Sequence, residues 1–338
     1  MPRIARRIFW LIFIAALASA GWFAWALLTL VEPPTPTFVL LRQGYSTRRI
    51  ASELKSAGVI RSEKAFLLWH YFHRHRSLKA GEYLFEKPAN IIDLQKRLRR
   101  GDVYFHTVVV PEGFTMFEIA RAIEAAGLGP ADDFLKAAQS NVLVADLDPD
   151  APSLEGYLFP DTYQFSRLQS MQEIAAAMVK QFRQVAAEIG LISKSDSTTP
   201  GPDLHTDVIM ASIVEKETAV AGERPLVASV YYNRLAKKIA LDADPSIIYA
   251  ELMAGVYQGA LHHADMRFNS PYNTYRYAGL PPGPIGNPGK SALEAAMHPA
   301  QSDYYYFVAD AAGHHRFART IEEHNKNVDA YRRAMRGK

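Results

Sequence analysis

The segment Val208-Ile-Met-Ala-Ser-Ile-Val-Glu-Lys-Glu-Thr218 decides how this chain folds around its candidate reactive group. Its residues favour a helix, and Asp207 stands where an N-cap is expected. At about 100° per residue, the apolar side chains gather into one stripe with Glu217 near its middle, whereas Glu215 points to the opposite side, toward water. Because burial penalises the charged form of a carboxylic acid, Glu217 is predicted to keep its proton near neutral pH, as a general acid must.

Two interpretations of Glu217 follow from this helix alone. In the structural one, it ends the apolar stripe at a helix terminus or pairs with an arginine, since ion pairs within a fold also shift pKa values. In the catalytic one, it gives its proton to a substrate. The choice between them depends on the rest of the sequence.

The composition excludes several classes of protein. A length of 338 residues is enough for two domains, and 49% hydrophobic with 22% charged residues is typical neither of a disordered chain nor of a multi-span membrane protein. A net charge of +3 gives no reason to expect nucleic acid as a partner. Cysteine is absent from the sequence, so disulfides, thiol catalysis and Cys-ligated metals are excluded.

The N-terminus predicts a membrane anchor. Arg3, Arg6 and Arg7 precede an uncharged apolar run over residues 8–31. About 24 helical residues span roughly 36 Å, enough to cross a bilayer core of about 30 Å. With Glu32 on the far side, the positive charges place residues 1–7 in the cytoplasm.

A cleaved signal peptide is the competing interpretation of this segment, because Ala18-Ser19-Ala20 resembles a cleavage site. The apolar run continues well past Ala20, which favours an uncleaved helix. The prolines of residues 32–37 then form a stiff linker. Everything beyond about residue 37 is therefore expected outside the cytoplasm.

Two similar segments follow the linker, one over residues 38–51 and one over residues 107–120. Each predicts a strand, a glycine turn, a helix and a glycine stop, at Gly58 and Gly127 respectively. The repeat resembles LysM-type glycan-binding modules, and residues 38–140 are predicted to form a LysM-like region. Alternatively, this region only spaces or braces the remainder of the chain.

The C-terminal part combines turn residues with aromatic ones. Residues 195–206 predict a polar surface loop, and Gly279–Gly289 is a Gly/Pro run that can hold the wall of a groove. Helices are predicted over about 223–234 and 291–297, a strand over 304–309, a hairpin through His315, and a last helix capped by Thr320. The whole predicts an α+β fold.

The chain resembles the endolytic murein transglycosylases of the MltG (YceG-like) family. Nine segments in the family's order carry the resemblance: Glu155–Tyr163, Ala211–Glu217, Ala228–Leu235, Asp244–Tyr249, Tyr272–Tyr275, Gly279–Gly283, Asn287–Gly289, Tyr306–Val308 and His315–Asn325. The resemblance implies that Glu217 is the catalytic acid and that residues 150–334 form the catalytic domain. It also implies a single-pass inner-membrane protein with a LysM-like subdomain, working beside cell-wall synthases such as penicillin-binding proteins, without a metal or other cofactor.

One position departs from the family pattern. Asp242 stands where the family usually has Gln, before Asp244-Pro245. A carboxylate there, if close, would repel Asp244 or Glu217 and raise their pKa values.

The predicted substrate is the glycan strand of peptidoglycan. Tyrosines offer an apolar face to sugar rings and a hydroxyl to their polar groups. The residues expected to contact the sugars are Tyr272, Asn273, Tyr275, Asp244, Tyr306, His315 and Asn325. The expected reaction cleaves the β-1,4 bond between N-acetylmuramic acid and N-acetylglucosamine with formation of a 1,6-anhydro ring, and thereby limits strand elongation.

Two other functional classes compete. A non-catalytic peptidoglycan-binding scaffold that recruits synthases would share the anchor, the repeats and the tyrosines. A metal-dependent hydrolase would use histidines, namely His262, His263, His314, His315 or His324. The latter is disfavoured because the sequence lacks His-x-x-x-His and Glu-x-x-His ligand spacings.

Overall fold

The computed structural model describes residues 3–33, 35–73, 77–193 and 204–336. The chain divides into two compact units, one of Met1–His106 with Gln164–Gln169 and one of Thr107–Tyr163 with Ser170–Lys338. Both contain helices and paired strands, so the predicted α+β class is confirmed. The predicted LysM-like region, residues 38–140, contributes its first copy to the first unit and its second copy to the other.

The first unit begins with a long helix, α1, and continues with a β-α-α-β succession and a further helix. The bounds are α1 (Arg3–Leu28), β1 (Thr37–Leu41), α2 (Thr47–Ser56), α3 (Glu63–Phe72), β2 (Gly81–Phe85) and α4 (Ile91–Arg100). β1 and β2 pair antiparallel, from Thr37 opposite Phe85 to Leu41 opposite Gly81. The helices cover this sheet with buried Leu54, Phe66 and Leu94.

The helix α1 carries large apolar side chains on an exposed surface. Few residues of its most apolar stretch are buried. Towards its C-terminus, Ala26 and Leu27 are buried in the core of the first unit. By length and composition the helix can cross a membrane, and its exposed apolar surface fits a single-pass anchor.

The repeat predicted from the sequence is confirmed at the level of its elements. The first copy is β1 and α2, and the second is β3 (His106–Val109) and α5 (Met116–Ala125). Both helices have ten residues and begin after a hydroxyl N-cap, Ser46 in one and Thr115 in the other. Gly58 and Gly127 follow them with the same φ of +72°, a conformation that glycine adopts without steric cost.

The second unit holds the remaining elements. They are α5, α6 (Ala131–Ala138), β4 (Thr162–Phe165), α7 (Met171–Ile189), α8 (Leu204–Glu217), α9 (Arg224–Ala236), α10 (Asp244–Ala254), α11 (Lys290–Met297), β5 (Tyr306–Ala309), β6 (His315–Ala318) and α12 (Ile321–Arg336). The first residue of β3 and the last two residues of β4, however, belong to the first unit. β3 pairs with β4, and β5 pairs antiparallel with β6. The predicted hairpin is confirmed, and so is the last helix, where Thr320 Oγ1 accepts the Glu323 N–H at 3.3 Å.

The helix α8 lies at the centre of the second unit and differs from its prediction in two ways. It begins at Leu204, so Asp207 is in the first turn rather than at the N-cap. Every residue from Val208 to Val214 is buried, so the helix has no single apolar stripe. A helix buried on all sides is typical of the core of a larger domain. Of the predicted loop 195–206, residues 195–203 lie outside the described residues.

The Gly/Pro segment Gly279–Gly289 packs onto α8 and is held there by buried polar groups. Ile285 donates its N–H to Ser212 Oγ at 3.0 Å. Asn287 is fully buried, and its Nδ2 donates to Glu155 Oε1 at 2.7 Å. These contacts give an irregular segment the hydrogen-bond partners that a regular element would otherwise supply.

Candidate functional site

A cavity of about 380 Å³ lies in the second unit at the C-terminal end of α8. It is lined by residues of α8, α9, α10, the β5–β6 hairpin and α12, with one tyrosine from the turn after Asn273. The lining consists of Glu217, Val230, Tyr231, Arg234, Leu241, Asp242, Asp244, Tyr275, Tyr305, Tyr306, Phe307, Ile321 and His324. Acidic, basic and aromatic side chains therefore converge on one concave surface.

Glu217 is the last residue of α8 and is only partly accessible from this cavity. Its Oε1 accepts the hydroxyl proton of Tyr231 at 2.7 Å. Burial raises the pKa of Glu217 to about 7; the Tyr231 hydrogen bond opposes this rise, and the negative charge of Asp244 adds to it. A carboxylic acid with this pKa holds its proton in a large fraction of molecules near neutral pH.

Glu215 does not face water as predicted, and that prediction is wrong. Its side chain is 6% exposed, and its Oε1 lies 2.6 Å from Nη2 of Arg224. Its Oε2 accepts the N–H of Gly289 at 3.0 Å. Burial raises the pKa of Glu215 as well, against the effects of these two partners. Charged and backbone partners, rather than the face of the helix, distinguish the two glutamates.

Asp244 and Tyr275 form one side of the cavity. The Tyr275 hydroxyl donates to Asp244 Oδ1 at 2.5 Å, and Asp244 begins α10. Tyr275 is 37% exposed, so part of its ring is open to a ligand. Both were predicted to contact substrate, and the structure brings both to the cavity of Glu217.

Arg234 holds the opposite side of the cavity together. Its Nη1 donates to the carbonyl oxygens of Ala240 and Leu241, at 2.9 and 3.0 Å, and to Asp242 Oδ2 at 3.1 Å. Asp242 adopts φ +52°, which is uncommon for a residue with a side chain. The carboxylate whose negative charge raises the pKa of Glu217 is Asp244, not Asp242.

The aromatic wall includes Tyr306, whose ring stacks on His324 with centroids 5.4 Å apart and lies 5.1 Å from the Arg234 guanidinium carbon. Tyr306 was predicted to contact substrate and does line the cavity. The neighbouring predicted residue, Asn325, is exposed and does not line it. The phase of α12 thus presents His324 to the cavity in place of Asn325.

Two other residues predicted to contact sugars are buried outside the lining. Tyr272 is 6% exposed and packs against Tyr249, with ring centroids 5.2 Å apart. Asn273 is fully buried: its Nδ2 donates to the Phe268 carbonyl at 2.8 Å, and its Oδ1 accepts the Tyr275 N–H at 3.0 Å. The position of Asn273 fixes the turn that presents Tyr275.

His315 also lies outside the lining. Its Nδ1 is 2.7 Å from Glu223 Oε2. The other oxygen of this carboxylate, Oε1, lies 3.0 Å from Nδ1 of His314. The ring of His315 meets the edge of Phe307, which does line the cavity, at a centroid distance of 5.4 Å. Among residues 3–33, 35–73, 77–193 and 204–336, groups of three or more His, Asp or Glu side chains suited to a metal ion are not found.

Sequence analysis did not single out Tyr231, Arg234 or His324 as residues of the site. Tyr231 and Arg234 are three residues apart, which places them on one side of a helix and was a usable signal. The sequence indicated His324 only as a possible metal ligand, because only the packing of α12 on the hairpin distinguishes it from Asn325 as a cavity residue.

The family model and the relatives that match this chain indicate the same family. The model of the YceG-like family matches residues 39–330. The chain is 34% identical over 324 residues to a Bacillus subtilis protein named endolytic murein transglycosylase, covering 90% of this chain and 88% of that protein. A Streptococcus pneumoniae protein of the same name is 29% identical over 94% of this chain, which spans only 63% of its length.

A solved structure is similar as well. The crystal structure of a yceG-like protein from Listeria monocytogenes superimposes with a TM-score of 0.57 at 34% sequence identity. The match covers 86% of this chain and 98% of that one.

Proposed function

The chain belongs to the YceG-like family, and from that premise we propose that it is an endolytic lytic transglycosylase of peptidoglycan. In this proposal it cleaves the β-1,4 bond between N-acetylmuramic acid and N-acetylglucosamine within glycan strands. The muramic product ends in a 1,6-anhydro ring. Cleavage within nascent strands limits their elongation.

The observation that carries the proposal is the environment of Glu217. It is a carboxylic acid with a pKa of about 7 that opens into a cavity and accepts a hydrogen bond from Tyr231. The other glutamate of the same helical turn, Glu215, is engaged by Arg224. Glu217 is thus the proton donor that a glycosidic oxygen requires near neutral pH.

In the proposed reaction, protonated Glu217 transfers its proton to the bridging oxygen as the C1–O4 bond breaks. Positive charge develops on the muramic C1, where the negative charge of Asp244 stabilises it. The muramic C6 hydroxyl then attacks C1, forms the C1–O6 bond and gives its proton to the Glu217 carboxylate. Water is not consumed, and Glu217 returns to its protonated form.

This chemistry explains how one carboxylate suffices. Ordinary glycosidases need a second carboxylate as a nucleophile or to activate water. Here the nucleophile belongs to the substrate, and an intramolecular hydroxyl has a high effective concentration. Tyr231 orients Glu217 through its 2.7 Å hydrogen bond, so that the same oxygen atoms serve both proton transfers.

We assign substrate contact to Tyr275, Tyr306 and Asp244, which line the cavity. Asn273 positions Tyr275 through the turn, and Tyr272 supports the same turn from beneath. His315 and Asn325 remain candidates for contacts with sugars bound beyond the cavity. His315 lies against Phe307, which lines the cavity.

The proposal extends to the location of the protein. The helix α1 anchors it in the cell inner membrane, with its N-terminus in the cytoplasm and the rest in the periplasm. The antiparallel β-α-α-β succession of the first unit supports a LysM-like module that contacts glycan. Penicillin-binding proteins of the elongation machinery are the partners that a strand-limiting enzyme would meet.

The test is mass spectrometry of the soluble products after incubating the full chain, in detergent, with purified peptidoglycan. We expect internal 1,6-anhydromuramic ends from the wild type and none from Glu217→Gln, because an amide has no proton to donate. The matched control is Glu188→Gln, which removes an exposed partner of Lys290 and leaves the cavity intact. This variant should release the same products as the wild type.

Other products would contradict the proposal in distinguishable ways. Free reducing ends would indicate hydrolysis, with Asp242 or Asp244 as the second carboxylate. Intact glycan with retained binding would indicate the non-catalytic scaffold. Loss of activity on chelation would indicate a metal-dependent hydrolase.

A further inference from the structure

A second cavity of about 510 Å³ lies in the same unit as the cavity of Glu217. Its lining comes from α5, α8, α10 and two irregular segments. The residues are Thr115, Glu118, Arg121, Lys216, Pro245, Ile248, Tyr249, Leu252, Tyr257, Gly259 and Ile285. Neither the predicted substrate residues nor the proposed reaction uses this cavity.

The charged residues of the second cavity leave an excess of positive charge. Glu118 accepts the N–H and hydroxyl of Thr115 in a capping box, at 2.8 and 2.9 Å, and lies 3.8 Å from the Lys216 ammonium. Arg121 is exposed one turn further along α5, and among the described residues it has no carboxylate partner within ion-pair distance. Within the lining, two cations face one carboxylate that is already engaged, which favours an anionic ligand. Lys216 also interacts electrostatically with Glu155 and Glu215, which lie outside the lining.

The remaining wall is apolar. Pro245, Ile248 and Leu252 come from one side of α10, and Ile285 comes from the Gly/Pro segment. A free phosphate or sulfate would gain nothing from these side chains. A ligand that uses the whole cavity carries both a carboxylate and small apolar groups.

The two cavities are lined in part by residues that are neighbours in the sequence. Lys216 lines the second cavity and Glu217 the first; Asp244 lines the first and Pro245 the second. Consecutive Cα atoms are about 3.8 Å apart, so the backbones of α8 and α10 each pass from one cavity lining to the other within one residue. A substituent on the sugar that reacts at Glu217 is therefore a suitable ligand to consider for the second cavity.

We propose that the second cavity binds the stem peptide of the muramic acid residue, with Arg121 and Lys216 holding one of its free carboxylates. This inference rests on the proposed function, because it takes peptidoglycan as the substrate. The peptide leaves the sugar ring whose C1 reacts, and five extended residues span about 17 Å. Its small apolar side chains fit the wall formed by α10 and Ile285. The site would select strands whose peptides are still attached.

The experiment compares two substrates with the full chain in detergent. One is uncross-linked glycan strands with intact stem peptides, and the other is the same strands after an amidase has removed the peptides. The quantity measured is the ratio of kcat/KM on peptide-bearing strands to kcat/KM on denuded strands. A ratio cancels any effect of a substitution on the reacting groups themselves.

We expect Arg121→Met to lower this ratio about 10-fold, since hydrogen bonds to charged groups contribute roughly that factor in binding. Lys216→Met should lower it in the same direction, and Lys216→Arg should restore it. The control is Lys180→Met, an exposed cation on α7 outside both cavities, which should leave the ratio unchanged.

Four results would overturn the inference. A wild-type ratio near one would mean that the peptide is not recognised. Equal losses on both substrates in Arg121→Met would mean a structural role for Arg121. Wild type that cleaves neither substrate would remove the proposed function itself, whereas cleavage of denuded strands with an unchanged ratio in Arg121→Met and Lys216→Met would remove only the peptide site.

Discussion

At the scale of the residue, the acidity of Glu217 is set by two neighbours that act in opposite directions. The Tyr231 hydroxyl stabilises the carboxylate, and Asp244 destabilises it through repulsion. Burial provides the larger effect and brings the pKa to about 7. The proton needed for the first step is therefore present below this pH and lost above it.

The corresponding prediction is a pH profile for kcat with a descending limb near pH 7. Tyr231→Phe removes the hydrogen bond to the carboxylate, so the limb should move to higher pH, by about one unit if the bond contributes a typical 1.4 kcal/mol. Asp244→Asn removes the repulsion, so the limb should move to lower pH. The measurement is the initial rate of glycan cleavage from pH 5 to 9. Shifts of both variants in one direction would contradict the assignment of Glu217 as the acid.

At the scale of the element, α8 is joined to its neighbours by a buried ion pair. Glu215 on α8 contacts Arg224, the first residue of α9, and also accepts the N–H of Gly289 just before α11. The Arg224 side chain is 6% exposed, so it cannot replace a lost partner with bulk water. Its second carboxylate, Glu112, is farther away at 3.5 Å.

Glu215→Gln should therefore lower the free energy of unfolding by about 3 kcal/mol, as expected when one partner of a buried pair is removed. Thermal unfolding followed by circular dichroism measures the change. Glu188→Gln, which breaks an exposed pair, should leave the free energy of unfolding close to that of the wild type. At temperatures where it remains folded, Glu215→Gln should still produce anhydro ends. A folded but inactive Glu215→Gln would instead place Glu215 in the reaction.

At the scale of the whole molecule, the proposed topology assigns the two ends of the chain to different compartments. The helix α1 exposes apolar residues such as Trp10, Leu11 and Leu17 that water solvates poorly. Three arginines lie at or before residue 7, and charge asymmetry of this kind sets the orientation of a single helix.

The absence of cysteine makes this topology directly testable. A single cysteine introduced as Lys180→Cys should react with a membrane-impermeant maleimide in spheroplasts. Ile4→Cys should react only after lysis, because it would face the cytoplasm. The cysteine-free parent controls for background labelling. Labelling of Ile4→Cys before lysis, with Lys180→Cys protected, would reverse the orientation.

The sequence alone determined the features that depend on neighbours along the chain. The duplicated β-α segments, the final hairpin, the Thr320 cap and the apolar N-terminal helix follow from local periodicity, turn glycines and capping residues. The choice of Glu217 over Glu215 also arose locally, from the positions of the two residues around the helix. That argument placed Glu215 in water, which is wrong. Both side chains are removed from water, and their partners distinguish them.

Only the tertiary structure decided which residues meet around Glu217. Tyr231, Arg234 and His324 reach the cavity through the packing of α9 and α12, while Tyr272 packs against Tyr249 of α10 and Asn273 donates to the Phe268 carbonyl within its own turn. A sequence pattern indicates the direction in which a side chain leaves its own element, but not which other element covers it. For the same reason, the cavity formed by Arg121, Lys216 and α10 could be seen only after α5, α8 and α10 were packed together.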